Sequence, residues 1–274
     1  MSKGLTDLSQ HFRFGENWQS FLSTVTEDVI AEAEAGLLRL FPDNVLQGAR
    51  FLDIGCGSGL HLLSALRLGV SEARGVDLDP ASVAATRTLL EERQPNAVCS
   101  AETRSVFDMT PDDDGRWRVV YSWGVLHHSG DMWNAIARAA ALSEMNGFFA
   151  LALYRKSAFC GFWRAEKWLY SKSPDFVQSV IRAIYKTIYR AGLLATGRNP
   201  AVYERSYKSA RGMDWHHDVH DWLGGYPYES AAPREITDFL GRRGFSLVRQ
   251  FQRPAAISGL LGTHCDEYVF QRTA

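Results

Sequence analysis

Hydrophobic residues follow two alternating patterns over the middle of the chain. Short apolar runs, typical of buried strands, occupy 50–54, 74–77, 97–103, 118–123 and 148–154. Apolar residues at helical spacing lie between them, over 59–69, 80–93 and 131–145. Strands that alternate with helices at this interval are typical of a doubly wound parallel sheet, so the sequence predicts an α/β fold.

The pattern differs on both sides of this core. Residues 1–49 carry helical patterns, the clearest over 24–41 and ended by Pro42, and predict a helical extension. After residue 154 we expect helices at 159–171 and 174–193 and then a turn-rich tract. A helix over 233–243 and strands over 245–251 and 266–272 follow. The predicted division is therefore an extension at 1–49, a core at 50–154 and 233–274, and an insertion at 155–232.

A glycine loop follows the first predicted strand. Gly55, Gly57 and Gly59 let the backbone turn sharply and approach a ligand at the start of a helix. The spacing differs from the dinucleotide motif, and Asp53 stands where a carboxylate would repel a pyrophosphate but could hold an ammonium group. Asp77 ends the second strand, where an acid binds ribose hydroxyls. An acid, a glycine loop and a second acid in this order favour S-adenosylmethionine as the ligand.

In these residues the chain resembles the class I S-adenosylmethionine-dependent methyltransferases. Further landmarks of that family follow in order, at 105–108 and at 121–128. The resemblance implies a Rossmann-like seven-stranded sheet, parallel except for an antiparallel C-terminal hairpin, with S-adenosylmethionine as cofactor and S-adenosylhomocysteine as product. It also implies that the extension at 1–49 folds over the cofactor as a lid, and a hydrophobic anchor on the domain surface is the alternative.

The resemblance also assigns cofactor contacts. Asp53, Gly55 and Gly57 would line the methionine part and Asp77 the ribose. The residues expected around the adenine are Ser105, Val106, Phe107 and Asp108. Further candidates for cofactor contact are Cys56, Leu78, Ser122, Trp123 and Trp18.

Composition narrows the setting of the protein. The 274 residues are 46% hydrophobic, enough for a sizeable core, with a net charge of −1. Four scattered cysteines indicate neither a zinc site nor a disulfide framework. With no transmembrane-length apolar run and no signal peptide, we expect a cytoplasmic protein.

The charge is unevenly distributed. Residues 155–211 contain twelve Lys or Arg and three acids, a net charge of +9. These charges either attract an anionic substrate or cover solvated helix faces. The amphipathic segment 176–193 suits a peripheral membrane surface or a dimer interface equally well, and the chain is expected to be a monomer or a homodimer.

Candidate chemistry concentrates in two places. His127 and His128 follow the fourth strand, where an imidazole could accept a proton, and His127 is the favoured base while His128 caps a loop or packs under the cofactor. The tract 211–229 is rich in His, Asp and aromatic residues, and His216 and His217 are further catalytic candidates. The tract forms a substrate surface, a metal site at His216 and His220, or a structural polar network. No metal is assigned.

The expected acceptor site uses the insertion. The candidate substrate-binding residues are Tyr154, Arg155, Tyr203, Tyr207, Arg211, His216, His220, Asp221, Tyr226, Tyr228 and Glu229. The runs 14–18, 121–128 and 221–229 also resemble those of bacterial small-molecule methyltransferases of sugar and secondary-metabolite pathways. This resemblance and the basic, aromatic insertion together favour O-methylation of a polar, anionic sugar or secondary metabolite. The alternatives are methylation of a protein or RNA, with nucleic acid disfavoured, and a non-catalytic partner protein that binds S-adenosylmethionine.

Overall fold

A seven-stranded sheet forms the centre of the computed structural model. The structure describes residues 18, 21–22, 25–211, 215–252, 259–260, 262 and 264–274, excluding the side chains of 206, 208–211, 216 and 217. The strands are β1 (Arg50–Ile54), β2 (Glu72–Asp77), β3 (Cys99–Thr103), β4 (Trp117–Trp123), β5 (Ser143–Tyr154), β6 (Phe245–Phe251) and β7 (Cys265–Arg272). Their order across the sheet is β3-β2-β1-β4-β5-β7-β6.

The helices connect these strands on both faces. In chain order they are α1 (Glu27–Leu40), α2 (Leu60–Arg67), α3 (Pro80–Arg93), α4 (Pro111–Asp114), α5 (Met132–Ala141), α6 (Cys160–Lys172), α7 (Asp175–Ala195), α8 (Pro200–Arg211), α9 (Trp215–Gly224) and α10 (Pro233–Gly241). Short 3-10 helices cover Val106–Asp108 and Leu126–His128. No helix among the residues described above is long and apolar enough to cross a membrane.

The sheet changes direction only at β7. The strands β1 to β5 pair in parallel, whereas β7 runs antiparallel to both β5 and β6. The carboxyl ends of the parallel strands therefore meet at one edge of the sheet, which is where open α/β folds bind ligands. This arrangement confirms the predicted Rossmann-like fold.

Two hydrophobic cores hold the helices against the sheet. Alternate residues of one strand serve both cores, because successive side chains of a strand point to opposite faces. Phe51 packs with Leu37 of α1 and Leu63 of α2, while Leu52 packs with Ile136 of α5 and Leu240 of α10. This alternation makes β1 buried on both faces and fixes its carboxyl end as a rigid support for the glycine loop.

The insertion has a core of its own. Tyr170, Tyr207, Trp215 and Leu223 are buried together where α6, α8 and α9 meet, with α7 packed against them. Two backbone hydrogen bonds fix its entry, from the N–H of Lys156 to the carbonyl of Ala231 and from the N–H of Ala231 to the carbonyl of Tyr154, each 3.0 Å, so the chain leaves and rejoins the sheet at the same point. The insertion is thus attached to the end of β5, beside the ligand-binding edge.

The structure corrects three local predictions. The expected turn-rich tract after residue 193 contains the helices α8 and α9. The helix predicted over 131–145 ends at Ala141, and β5 starts at Ser143 rather than at 148. An irregular stretch with Asn146 at φ 60° interrupts the β4–β5 register and hides the early start of the strand.

Candidate active site

The loop after β1 has a backbone that only glycine suits. Gly55, Gly57 and Gly59 have φ values of 79°, 55° and 81°, in the left-handed region. A Cβ on Gly55 would lie 2.4 Å from a methyl of Val125, and one on Gly57 would lie 3.0 Å from the indole of Trp18. The loop is therefore packed between the start of α2, the end of β4 and the N-terminal segment.

Asp53 is a buried carboxylate beside this loop. It is 2% exposed and accepts no hydrogen bond from the described residues. Burial, with a smaller contribution from the charge of Asp77, raises its pKa to about 8. A carboxylate that folding leaves buried and unpaired has a strong electrostatic preference for a cationic ligand.

Asp77 is held by the loop itself. Its carboxylate accepts hydrogen bonds from the backbone N–H of Gly57 at 3.1 Å and of Asp79 at 2.9 Å. Burial raises its pKa to about 6, although these two N–H groups act in the opposite direction. The acid at the end of β2 thereby fixes the glycine loop at the end of β1.

The residues expected around an adenine form the 3-10 turn after β3. The hydroxyl of Ser105 accepts the N–H of Phe107 at 3.2 Å and caps this turn. Val106 is buried and Phe107 half-buried against the core, whereas Asp108 is exposed. The turn supplies an apolar wall with a carboxylate at its rim.

The remaining cofactor candidates differ in what they contact. Trp18 covers Gly57, and Cys56 is buried under the loop against Thr86, with its pKa raised by burial. Trp123 stacks on Tyr121 with ring centroids 5.4 Å apart. The buried hydroxyl of Ser122 donates to Ile54 O at 2.8 Å, so it joins β4 to β1. Leu78 is half-buried after β2.

The two histidines after β4 are not equivalent. His127 is fully buried, its ring centroid 3.9 Å from that of Tyr154, and burial holds its pKa well below its usual value. His128 is half-buried, and its Nδ1 lies 2.7 Å from the carbonyl oxygen of Pro227. Because a carbonyl only accepts, Nδ1 carries the proton and Nε2 keeps its lone pair in the neutral ring.

A lysine that sequence reasoning missed lies next to these rings. Lys167 is fully buried, and its ammonium donates to the carbonyl of Trp222. The ammonium lies 3.7 Å from the ring centroid of Trp222, 5.7 Å from that of Tyr228 and 5.9 Å from that of Tyr154. No carboxylate of the described residues is within ion-pair distance, and burial lowers the pKa of Lys167.

The sequence does contain a signal for Lys167. It stands four residues after Trp163 and three before Tyr170, and these three are the buried residues of α6. A lysine on the buried face of an amphipathic helix departs from the expected pattern. Glu166, the next residue back, is a second buried carboxylate whose pKa burial raises.

Several predicted substrate residues serve the structure of the insertion. The hydroxyl of Tyr203 lies 2.8 Å from that of Tyr189, and Tyr207 donates to Asp218. Nδ1 of His220 accepts from Arg182 at 2.9 Å and lies 2.6 Å from the hydroxyl of Tyr170. These contacts form a structural polar network, which is one of the three interpretations of the tract 211–229.

Other candidates tie the insertion to the sheet. Arg155 pairs with the buried Asp266 at 2.7 Å, and the carboxylate of Glu229 accepts the N–H of Met132 at 2.9 Å, at the start of α5. Asp221 is 9% exposed, and Tyr226 is half-buried in the loop after α9. The side chains of Arg211, His216 and His217 lie outside the described residues.

The site therefore brings five of these residues together: Tyr154, Tyr228, His127, His128 and Lys167. Tyr154 ends β5 and lies between the histidines and the lysine, with its ring centroid 5.3 Å from those of His128 and Tyr228. Within the described residues, no group of three or more His, Cys, Asp or Glu is placed to hold a metal ion. A metal site in the tract 211–229 would require His216, whose side chain lies outside the described residues.

Fold and site together define a class of protein. A sheet of this order, with a glycine loop and acids at the carboxyl ends of β1 and β2, has the architecture of the class I S-adenosylmethionine-dependent methyltransferases. A family model described as a methyltransferase domain matches residues 25–250. The chain belongs to that family, and the predicted family is confirmed.

Comparisons with individual proteins agree on the fold and the class. The chain is 56% identical over 48 residues to ribosomal protein L11 methyltransferase of Stenotrophomonas maltophilia (strain K279a), which is 18% of this chain and 16% of that protein. It is 31% identical over 114 residues to ubiquinone biosynthesis O-methyltransferase of Rhodopseudomonas palustris (strain BisB18), or 42% and 43% of the two chains. The chain thus spans less than half the length of either relative.

A solved structure extends the likeness to most of the chain. Magnesium protoporphyrin IX methyltransferase from Synechocystis PCC 6803, solved with bound S-adenosylhomocysteine, matches with a TM-score of 0.52 at 15% identity. The match covers 89% of this chain and 81% of the other. Family membership makes S-adenosylmethionine the cofactor, and the buried, unpaired Asp53 fits its ammonium group.

Proposed function

We propose that this protein transfers the methyl group of S-adenosylmethionine to a hydroxyl of a small, polar, anionic acceptor such as an acidic sugar or a secondary metabolite. The observation that carries the acceptor class is Lys167, a buried ammonium that forms no close ion pair with a carboxylate of the described residues, although the charge of Glu166 acts on its pKa from a greater distance. It lies beside the ring of Tyr154, which also contacts the histidines after β4. An anion bound there would compensate the buried charge.

The cofactor supplies an activated methyl group on a sulfonium centre, so the protein has to position groups and manage one proton. Asp53, in its ionised form, would hold the ammonium of the cofactor, and Asp77 would face the ribose. Val106 and Phe107 would form the apolar wall against the adenine. Trp18, which covers Gly57, would exclude water from that side of the loop.

His128 is the residue we assign as the base. The Pro227 carbonyl fixes its proton on Nδ1, so Nε2 carries the lone pair that would take the proton of the acceptor hydroxyl. His127, favoured from the sequence, is fully buried and has a strongly lowered pKa, so its role is to pack beneath Tyr154. The geometry thus supports exchanging the roles that the sequence suggested for the two histidines.

The acceptor class is tested with matched pairs of compounds. Release of S-adenosylhomocysteine is measured with hexuronic acids against the parent hexoses, and with sugar phosphates against the sugars. We expect turnover with members of the anionic set and a lower KM for an acid than for its neutral partner. Equal KM values, or a preference for the neutral member of each pair, would contradict the assignment of Lys167.

A further inference from the structure

The outer face of α7 is apolar over its whole length. Phe176, Val180, Ile184 and Ile188 follow one another at intervals of four, and each is more than half exposed, from 53% to 72%. The other exposed residues of this helix after Asp175 are Ser, Ala, Thr and Leu, none of them charged. Helices on the surface of globular proteins normally present polar residues outward, so this face is built to be covered.

The charged residues of α7 point the other way. Arg182 donates to Tyr170 and Ser179, Lys186 lies over the ring of Trp215 at 5.5 Å, and Arg190 pairs with Glu204 at 2.7 Å. These contacts hold the helix against the core of the insertion with its apolar face outward. These interactions of Arg182, Lys186 and Arg190 therefore fix the orientation of α7.

The helix before α7, α6, also exposes large apolar side chains. In α6, Phe162, Trp168 and Leu169 are each more than half exposed, and Ser173 and Pro174 alone separate α6 from α7. Large exposed aromatic residues with aliphatic neighbours are typical of segments that enter the headgroup boundary of a bilayer. The insertion thus offers two consecutive helices with exposed apolar side chains.

The charge of the insertion selects among partners. Its net charge over 155–232 is +5, from twelve Lys or Arg and seven acids, and the stretch 155–211 alone carries +9; within that stretch Arg164, Lys172, Arg198 and Arg205 are exposed. Of the three acids within 155–211, Glu166 is largely buried and Glu204 is paired, which leaves Asp175 at the start of α7. A second copy, related by a two-fold axis, would bring this basic surface against itself. An anionic surface would be attracted to it.

We propose that the exposed faces of α6 and α7 dock on an anionic lipid surface, with α7 lying along the membrane and the basic residues of the insertion facing the headgroups. This site is separate from the methyl-transfer site and does not depend on the proposed acceptor.

The test is binding of the full chain to vesicles, measured by flotation. We expect binding to vesicles of phosphatidylcholine mixed with phosphatidylglycerol, loss of that binding at high salt, and little binding to phosphatidylcholine alone. The double variant Ile184→Glu with Ile188→Glu should lower the bound fraction at least tenfold. Both positions are exposed, so the variant should keep its circular dichroism and its melting temperature.

Val98→Glu is the matched control, because Val98 is 66% exposed and precedes β3, far along the chain from α7. It should bind vesicles like the unaltered protein. Three results would overturn the proposal: no binding to anionic vesicles, equal binding to neutral and anionic vesicles, or equal loss in the control. A dimer in light scattering that the Ile184→Glu, Ile188→Glu variant dissociates would assign the face to a second copy instead.

Discussion

Asp53 makes the affinity for the cofactor depend on pH in a way that one substitution should remove. Its pKa of about 8 means that the side chain of the protein without ligand is mostly protonated at neutral pH. Only about a tenth of the molecules carry the carboxylate at pH 7, and about one in a hundred at pH 6. A ligand that needs the carboxylate must first remove that proton.

The expected size follows from these fractions. Affinity for S-adenosylhomocysteine, which shares the ammonium but does not react, should rise about 50-fold from pH 6 to pH 8, and binding at pH 7 should release close to one proton. Asp53→Asn should bind more weakly at pH 8 and lose this part of the pH dependence. Asp77, with a pKa of about 6, titrates in both proteins, so the difference between them isolates Asp53.

Isothermal titration in buffers of different ionisation enthalpy measures both the affinity and the released proton. The pH dependence of the free energy of unfolding gives a second measurement of the pKa of Asp53. Because folding raises the pKa of Asp53, the native state binds its proton more tightly than the unfolded state, and this contribution to stability is lost as the pH rises from about 4 to about 8. The Asp53→Asn variant should lack this loss of stability, which in the unaltered protein amounts to at most about 6 kcal/mol. An affinity with the same pH profile in both proteins would refute the reasoning.

The other predictions concern residues around the acceptor. His128→Gln should lower kcat at least about 100-fold without changing affinity for S-adenosylhomocysteine, while His127→Gln keeps kcat within about tenfold in the folded fraction. The reverse order would restore His127 as the base. Lys167→Met should raise the free energy of unfolding, because it removes a buried charge, and should raise KM for an anionic acceptor at least about tenfold; a lower melting temperature with unchanged KM would assign Lys167 to structure alone. Trp18→Ala should weaken cofactor binding by about 1–3 kcal/mol in titration, and an unchanged Kd would remove Trp18 from the cofactor site.

The parts that the sequence predicted are those that local patterns determine. The central strands β1, β4 and β5 are recognisable because they are buried on both faces and form apolar runs, as in Phe51 and Leu52. The glycine loop was visible because Gly55 and Gly57 adopt backbone conformations that other residues avoid. The fold follows from the first signal, and the cofactor and family follow from the second together with Asp53, Asp77 and the landmarks at 105–108 and 121–128.

The parts that it could not predict depend on contacts between distant segments. His127 and His128 are neighbours in sequence, and only the 3-10 turn that carries them decides which ring is buried and which meets Pro227. Arg155 looked available to an anion, but Asp266, more than a hundred residues away, binds it. Helices α8 and α9 were missed because their stability comes from packing of aromatic side chains such as Tyr207 and Trp215.

The fate of the methyl group tests the central claim most directly. The protein is incubated with S-adenosylmethionine labelled in the methyl group and a cell extract that retains small molecules, protein and RNA, and the label is followed by mass and by charge. The account predicts label in a low-mass, anionic fraction as an ether or ester that survives protease and ribonuclease treatment, and much less label with Asp53→Asn at pH 8, where Asp53 of the unaltered protein is ionised in about half of the molecules. Label that enters protein or RNA, or binding of the cofactor with no methylated product in any fraction, would contradict it.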